Sequence, residues 1–316
     1  MARYVWRRAL TALVVLFLVS VISFIIVFVL PGDTAAAILG EDGGLDRERY
    51  EALRETLGLN KPLITRYVEW VTGVLRGDFG VSLRTSEEIG PALLQRAGPT
   101  FQLAIMAMLI AVAVAIPVGV ASAVRQGTWV DTAGTLLALS GIATPGFWLG
   151  IMLILVFAVW LKWLPPSGYV PIWESPLESV RLMILPAVAL ATALMGVTIR
   201  QVRTAVIEVL GEDYITTARA KGVRERQIVY RHALRNALLP VVTVIGLQMG
   251  QTLAGAATIE VVFSIPGLGR LAVDSIFFRD FTMIQAVMLL FAVIVLASSF
   301  LTDLLYARLD PRIRYR

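Results

Sequence analysis

The sequence predicts an all-α polytopic membrane protein with six transmembrane helices and both termini in the cytoplasm. Three observations carry that expectation. Hydrophobic residues make up 57% of the 316-residue chain and charged residues 16%, too apolar a balance for a soluble globular protein. Uncharged runs recur that reach or approach the roughly 20 residues needed to cross a bilayer. The charges also sort by side. With both termini inside, the cytoplasmic pieces carry 16 Lys and Arg against 7 acids and the external pieces 12 against 16, as the positive-inside rule requires.

Arg3, Arg7 and Arg8 precede the uncharged run 9–30. A signal-peptide core spans about 7–15 residues, so this longer run reads as an uncleaved first transmembrane helix. Residues 31–98 then form an external subdomain, with acidic Gly-rich turns at Glu41-Asp42-Gly43-Gly44 and helical patterns over 46–57 and 62–75. Its Tyr67, Trp70 and Phe79 suit either interfacial anchoring or docking of a partner. Residues 99–316 form the core. The second span is 101–124, bent at Pro117, and the third is 132–161, divided by Pro145-Gly146 and therefore expected to be kinked or tilted. Trp160, Trp163, Tyr169 and Trp173 make an aromatic belt around a turn-rich external loop. The fourth span is 182–199, the fifth 237–257 and the sixth 282–302, with an external hairpin between the last two.

The polar stretch 211–236, GEDYITTARAKGVRERQIVYRHALRN, interrupts this apolar chain. It reads as two short helices hinged at Gly222, the second running from Arg224 into the fifth span. Ile215 and Ala218 share one face of the first, and small Ala218, Ala220 and Gly222 let a partner surface come close. A loop so built transmits a push from outside the membrane to a helix within it. A basic loop lying on anionic lipid is the bland alternative.

Several chemistries are excluded. The chain has no cysteine and one histidine, His232, which removes disulfide frameworks, Cys-based zinc sites and thiol nucleophiles. Its only lysines, Lys61, Lys162 and Lys221, lack a Walker A context, so no phosphate cradle is present and any ATP hydrolysis belongs to another polypeptide. The cores of the six runs are uncharged, which argues against an ion-coupled carrier. Glu260 sits near a helix end, where snorkelling or capping accounts for it. The basic charge follows membrane topology, so nucleic acid is not an expected partner.

Thr217-Ala218-Arg219-Ala220-Lys221-Gly222 and His232-Ala233-Leu234-Arg235-Asn236-Ala237-Leu238-Leu239-Pro240 resemble the cytoplasmic loop of ABC importer permeases in their peptide and nickel branch. Relative to the general pattern EAA-x3-G-x9-I-x-LP, Thr216 and Thr217 replace Glu and the first Ala, and Leu239-Pro240 arrives five residues late. Further matches lie at 66–82, 263–269 and 303–314. The resemblance implies a type I importer permease that works with a second permease subunit, two ATPase subunits and an extracytoplasmic substrate-binding protein in the inner membrane. It implies no cofactor in this chain, ATP and magnesium being held by the ATPases. It also implies ATPase-coupling roles for Asp213, Tyr214, Thr217, Ala218, Ala220, Lys221, Gly222 and His232. Di- or oligopeptides are the expected substrates, with nickel chelates, glutathione or oligosaccharides as alternatives; a stand-alone channel or secondary carrier is the rival of another class.

Two more sites come from spacing. Gln248, Gln251, Thr252 and Gly255 fall on one face of the fifth span, which suits a polar translocation path or hydrogen-bonded glue between helices. In the external hairpin, Ile265, Pro266, Gly267, Leu268 and Gly269 suit a compact projecting loop that enters the binding protein's cleft, with Ile265 and Leu268 as its apolar tip. The alternative is a tight reversal needed only to start the sixth span.

Overall fold

The structure is a computed structural model, and it describes residues 2–29, 47–56, 60–82 and 84–309. Among these the regular elements are helices, and only an isolated bridge between Val81 and Glu88 has strand character. The turns expected at 41–44 and the tail beyond 309 lie outside the described residues.

α1 (Ala2–Val29) presents Trp6, Leu10, Leu13 and Phe17 outward and packs on the last helix, where Arg8 donates to Ser299 Oγ at 3.1 Å. α2 (Arg47–Thr56) and α3 (Leu63–Leu75) are the helices expected in the segment that follows. α3 folds back on α1: the Tyr67 hydroxyl lies 2.7 Å from Ser20 Oγ, and the rings of Tyr67 and Trp70 lie 5.4 and 6.0 Å from that of Phe24. Tyr67 and Trp70 therefore serve internal packing, and Phe79 packs into the core near the start of the next helix.

That helix, α4 (Ile89–Val124), begins 12 residues before the uncharged run, so the boundary drawn at 98 falls inside it. Gln95 and Arg96 end the apolar run but not the backbone ladder, and Pro99 sits inside the helix. At 1.5 Å per residue its 36 residues span about 54 Å, well beyond a hydrocarbon core of about 30 Å. α7 (Pro176–Leu210) is equally overlong and passes both limits of the expected fourth span. Its continuation through Arg200 and Arg203 carries it past the apolar zone.

Between these two, the third span is not one kinked helix. α5 (Trp129–Ala143) and α6 (Gly146–Leu153, continued as a π-helical turn Ile154–Trp160) meet at 102°. Thr144 and Pro145 are both extended (ψ 122° and 128°), Thr144 because a residue preceding proline is pushed out of the α region, and two extended residues in a row break the helix and turn the chain sharply. Five described helices are long and apolar enough to cross a membrane, and the broken pair makes the sixth candidate.

After α7 come α8 (Asp213–Ala220), a turn Glu225–Gln227, a π-helical turn Ile228–Ala233 and α9 (Leu234–Val262). α10 (Leu268–Phe277) occupies most of the expected hairpin, and α11 (Phe281–Leu309) closes the described chain.

The core is built on α4 against α7. Ala107, Ala111, Ala115 and Gly119 recur every four residues on α4, all buried, and meet Met183, Ala187, Leu190, Ile199 and Val202 of α7. Lipid tails remove the hydrophobic drive between helices, so small residues that let backbones approach supply the packing. A Cβ on Gly119 would stand 2.7 Å from Val202 Cβ and 2.9 Å from the Ile199 carbonyl oxygen. α5 crosses α7 the same way, a Cβ on Gly141 reaching 2.6 Å from the Thr192 carbonyl oxygen. Of Leu139-Ser140-Gly141, Gly141 alone makes this crossing, its neighbours Leu139 and Ser140 being exposed. α9 adds Ala256 and Ile259 to the same core, and Phe263 joins them just past its end.

Replacing Gly119 by leucine should lower stability by roughly 1–3 kcal/mol through overpacking, whereas the same change at exposed Gly211, where the nearest atom to a Cβ is the Glu208 carbonyl oxygen at 3.4 Å, should not approach that. Thermal unfolding of the detergent-purified protein checks this, and equal midpoints for the two variants would contradict the close-packed crossing.

Candidate functional site

α8 lies at the end of the molecule where α4 and α7 terminate, and its attachment is visible residue by residue. Ile215 is buried against Ile228 and Ala233, with Val209, Leu210, Ala218 and Val223 around them. Of the small residues expected to let a partner come close, Ala218 shares with Ile215 the face by which α8 grips its own chain. The opposite side is free: Asp213, Tyr214, Thr217, Ala220, Lys221 and Gly222 are all exposed.

The hinge has a defined geometry. Gly222 N donates to the Arg219 carbonyl at 2.9 Å and Val223 N to that of Ala218 at 3.2 Å, while Val223 and Ala218 share an apolar cluster. This is the Schellman stop, and it places Gly222 at φ +76°, a conformation that glycine adopts without strain. Nothing lies within 4 Å of where a Cβ on Gly222 would sit, so within this chain the residue is required by the backbone and not by crowding. Arg219 pairs with Glu225 at 2.7 Å across the hinge, and Asn236 Nδ2 donates to the Tyr214 hydroxyl at 2.8 Å, tying α8 to the first turn of α9. His232 is half-buried on the π-helical turn and lines a groove with Tyr214. At the same end Asp131 takes a bidentate pair from Arg203 at 2.6 and 2.8 Å and accepts from Gly127 N at 3.0 Å, which locks the α4–α5 connection to α7.

The far end is held by a different polar group. Glu260, in the last turn of α9, is wholly buried. Thr100 Oγ1 donates to Glu260 Oε1 at 2.6 Å and accepts from Leu268 N at 2.8 Å, while Arg270 N donates to Glu260 Oε2 at 2.9 Å. One carboxylate thus joins α4, α9 and the N-terminus of α10, the capping role and not the snorkelling one. The hairpin around it does not project. Ile265 and Leu268 are fully buried, so the expected apolar tip is part of the core. Pro266 is half-buried. Gly267 packs on the Glu260 carboxyl and Gly269 on the Ala257 backbone; their need for glycine is close approach, and the positive φ of the turn falls on Ser264 (53°). Nearby, burial and Glu174 push the Tyr169 phenol above its ordinary pKa, and its hydroxyl donates at 3.4 Å to Gln102, which in turn donates to Ser179 at 2.6 Å.

Residues 115–315 match the family described as the binding-protein-dependent transport system inner membrane component, and residues 1–104 match the N-terminal membrane component of such systems. The chain belongs to this family. It is a permease subunit of an ABC importer, a multi-pass inner-membrane protein that works within a transporter complex and is not itself the ATPase. It is 41% identical over 316 residues to the glutathione transport system permease protein GsiC of Salmonella typhi, covering all of both chains, and 38% identical over 315 residues to a putative peptide transport system permease protein of Brucella abortus, again over the full length of both. Inward-facing crystal structures of the MetNI methionine ABC transporter share its fold, with TM-scores of 0.56 and 0.58 at 20% and 18% identity, covering 69% of this chain and 96% of theirs.

Within the permease, the face of α9 that suited either a path or hydrogen-bonded glue is turned inward at Gln248 and Thr252. Gln248 is 4% exposed and accepts from Thr198 of α7 at 3.1 Å; Thr252 is buried and donates to the Gln248 carbonyl. A Cβ on Gly255 would stand 3.4 Å from Leu190 of α7, and the Gln251 side chain lies outside the described ones. In this chain Gln248 joins α9 to α7 and Thr252 bonds back to its own helix, while Gly246 and Gly250 pack on Thr302 and Val295 of α11. The exposed stripe of α9 is instead Leu247, Ala254, Thr258 and Val261, rotated away from α7. Sequence reasoning missed the Asp131–Arg203 pair and the Glu260 network, because partners 72 and 160 residues apart leave no local spacing. Only the isolation of an acid between apolar runs marks either.

Glu260→Ala strands the Thr100 hydroxyl and the Arg270 amide, at about 1–3 kcal/mol for each buried group left unsatisfied, whereas Glu260→Gln keeps one acceptor and the shape. The alanine variant should therefore unfold at a clearly lower temperature than the glutamine variant in purified permease complex. Identical midpoints for wild type and alanine would remove the network from the account.

Proposed function

We propose that this permease forms half of the translocation path for small peptides, delivered by an extracytoplasmic binding protein, with a second permease subunit forming the other half and two ATPase subunits holding ATP and magnesium on the side of α8. The names of the full-length relatives, one a glutathione and one a peptide permease, support a short peptide or peptide-like thiol as substrate. The charge asymmetry of the loops supports placing both termini and α8 in the cytoplasm.

The observation that carries the coupling role is the two-sided build of α8. One side is cemented to the Ile228–Ala233 turn that leads without a break into α9, and the other presents Asp213, Tyr214, Thr217, Ala220, Lys221 and Gly222 to solvent. A helix gripped this way moves with α9 as a unit, so a surface that closes on its exposed side displaces a membrane-spanning helix. ATP drives this only to the extent that the ATPases bind it more tightly in one arrangement than in the other. The exposed α9 stripe through Leu247, Ala254 and Thr258 is the face offered to the path, and Gln248 holds α9 to α7. The hairpin at Ile265–Gly269 acts as a tight reversal that starts α10, and any contact with the binding protein falls on its exposed neighbours.

Gly222→Arg should abolish co-purification with the ATPases or their stimulation while membrane insertion persists. Gly222→Ala, which adds only backbone strain of about 1 kcal/mol, should keep most of both. Undiminished ATPase stimulation in the arginine variant would sink the coupling assignment. The path assignment is checked by single cysteines in this cysteine-free chain. Those at Ala254 and Thr258 should react with a water-soluble thiol reagent in a nucleotide-dependent manner, and those at Gln248 and Thr252 should stay slow in every state; the reverse pattern would return the path to the α7-facing side.

A further inference from the structure

Where α9 enters the apolar zone, the structure carries a groove of about 620 Å3 that borders the coupling region at Tyr214 and His232 and runs on along α9. Its composition changes in one direction along the helix. Arg231 and Arg235 stand at the outer end, one on the π-helical turn and one in the first turn of α9, with the Tyr214 hydroxyl beside them. Leu239 and Val242 follow on the same face at i+4 and i+7 from Arg235. The arginines are exposed and form no ion pair or hydrogen bond among the described residues, unlike Arg203 and Arg219, which are both paired to carboxylates. Two free guanidiniums within one helical turn, running directly into an aliphatic wall, match a ligand with an anionic head and an apolar tail.

We propose that this groove is a binding site for an anionic phospholipid, its phosphate held by Arg231 and Arg235 and capped by the Tyr214 hydroxyl, with an acyl chain laid along Leu239 and Val242. Guanidinium takes phosphate bidentately, which an ammonium cannot, and both basic positions here are arginine. The volume suits a headgroup with the first part of a chain, being inside the 300–1,000 Å3 range of small-ligand pockets. A soluble protein fits less well. The apolar half, Leu239 and Val242, lies in the uncharged run 237–257, past the charged end of the groove, where a water-borne partner does not reach. Charge alone on the surface of α8 would attract anionic lipid loosely; a groove that joins charge to an apolar wall selects one molecule. Because α8 shares Tyr214 with the groove, the bound lipid also braces the junction between α8 and α9, and lipid charge becomes a determinant of how firmly that junction is held.

The test uses the assembled importer. Native mass spectrometry after equilibration with equimolar phosphatidylglycerol and phosphatidylcholine of identical chains should show preferential retention of the anionic lipid. Each arginine near the membrane surface contributes roughly a fivefold preference, so Arg231→Gln with Arg235→Gln should cut retention about 30-fold. Arg125→Gln with Arg200→Gln, exposed at the same end and outside the groove, should leave it unchanged. Millimolar inorganic phosphate should fail to displace the lipid, since it lacks the tail, and Val242→Asn should weaken retention with both arginines in place. Equal retention of the two lipids by the wild-type complex overturns the proposal without recourse to any variant, and is also the result expected if the second permease fills the groove. Equal loss in the two double variants reduces the effect to net charge and overturns it as well. Displacement by phosphate alone would leave an anion site with no lipid.

Discussion

The close crossing of α4 and α7 is the contact on which the rest of this permease depends. Ala107, Ala111, Ala115 and Gly119 strip one side of α4 to its backbone, and α7 lies in that trough through most of its length. In a bilayer the tails around a helix are as apolar as its side chains, so burying leucine against leucine gains little, and the gain comes from dispersion between surfaces that fit. Each further helix then leans on this pair. α5 meets α7 at Gly141 and Gly196, α9 adds Ile259, with Phe263 just past its end, to the shared core, and α11 reaches the pair mainly through α9.

Polar groups do the complementary work at the two ends. Asp131 and Arg203 join the α4–α5 connection to α7 at one end, and Glu260 joins α4, α9 and α10 at the other. Such groups have few alternative partners close to an apolar zone, so their geometry is fixed tightly; a buried carboxylate lacking its donors is costly. Between them α9 runs unbroken from the neighbourhood of α8 to the Glu260 cap. A displacement delivered to α8 therefore has a stiff route to the opposite face, through packed helix and not through loop.

The hinge between α8 and α9 was readable because its chemistry is local: a glycine after a short amphipathic helix is a stop signal, and the Schellman bonds at Gly222 are made within six residues. The number of spans was readable for the same reason, each being a contiguous run. Span limits were less so. Charges at Arg96, Arg200 and Arg203 end an apolar run, yet a backbone ladder continues through them wherever the side chain reaches water or a partner. For the hairpin at Ile265–Gly269 the sequence suits a projecting loop and a tight reversal alike, since Pro and Gly signal a turn but carry no record of which way it faces.

The sequence by itself determined the membrane class, the six apolar runs, the break at Pro145, the polar hinge at Gly222 and the lack of a Walker A motif, all properties of composition or of neighbours a few residues apart. Only the tertiary structure decided which side of each helix is inward. It turned Ile215 and Ala218 toward Ile228 and Ala233, sent Gln248 to α7, buried Thr252, Ile265 and Leu268, and it brought Glu260 to Thr100 across 160 residues of chain. The physical reason is that in an apolar chain nearly every helical face looks alike to local patterning. The face that becomes interior is chosen by close fit, by small residues meeting at crossings and by single polar groups finding the one partner within reach.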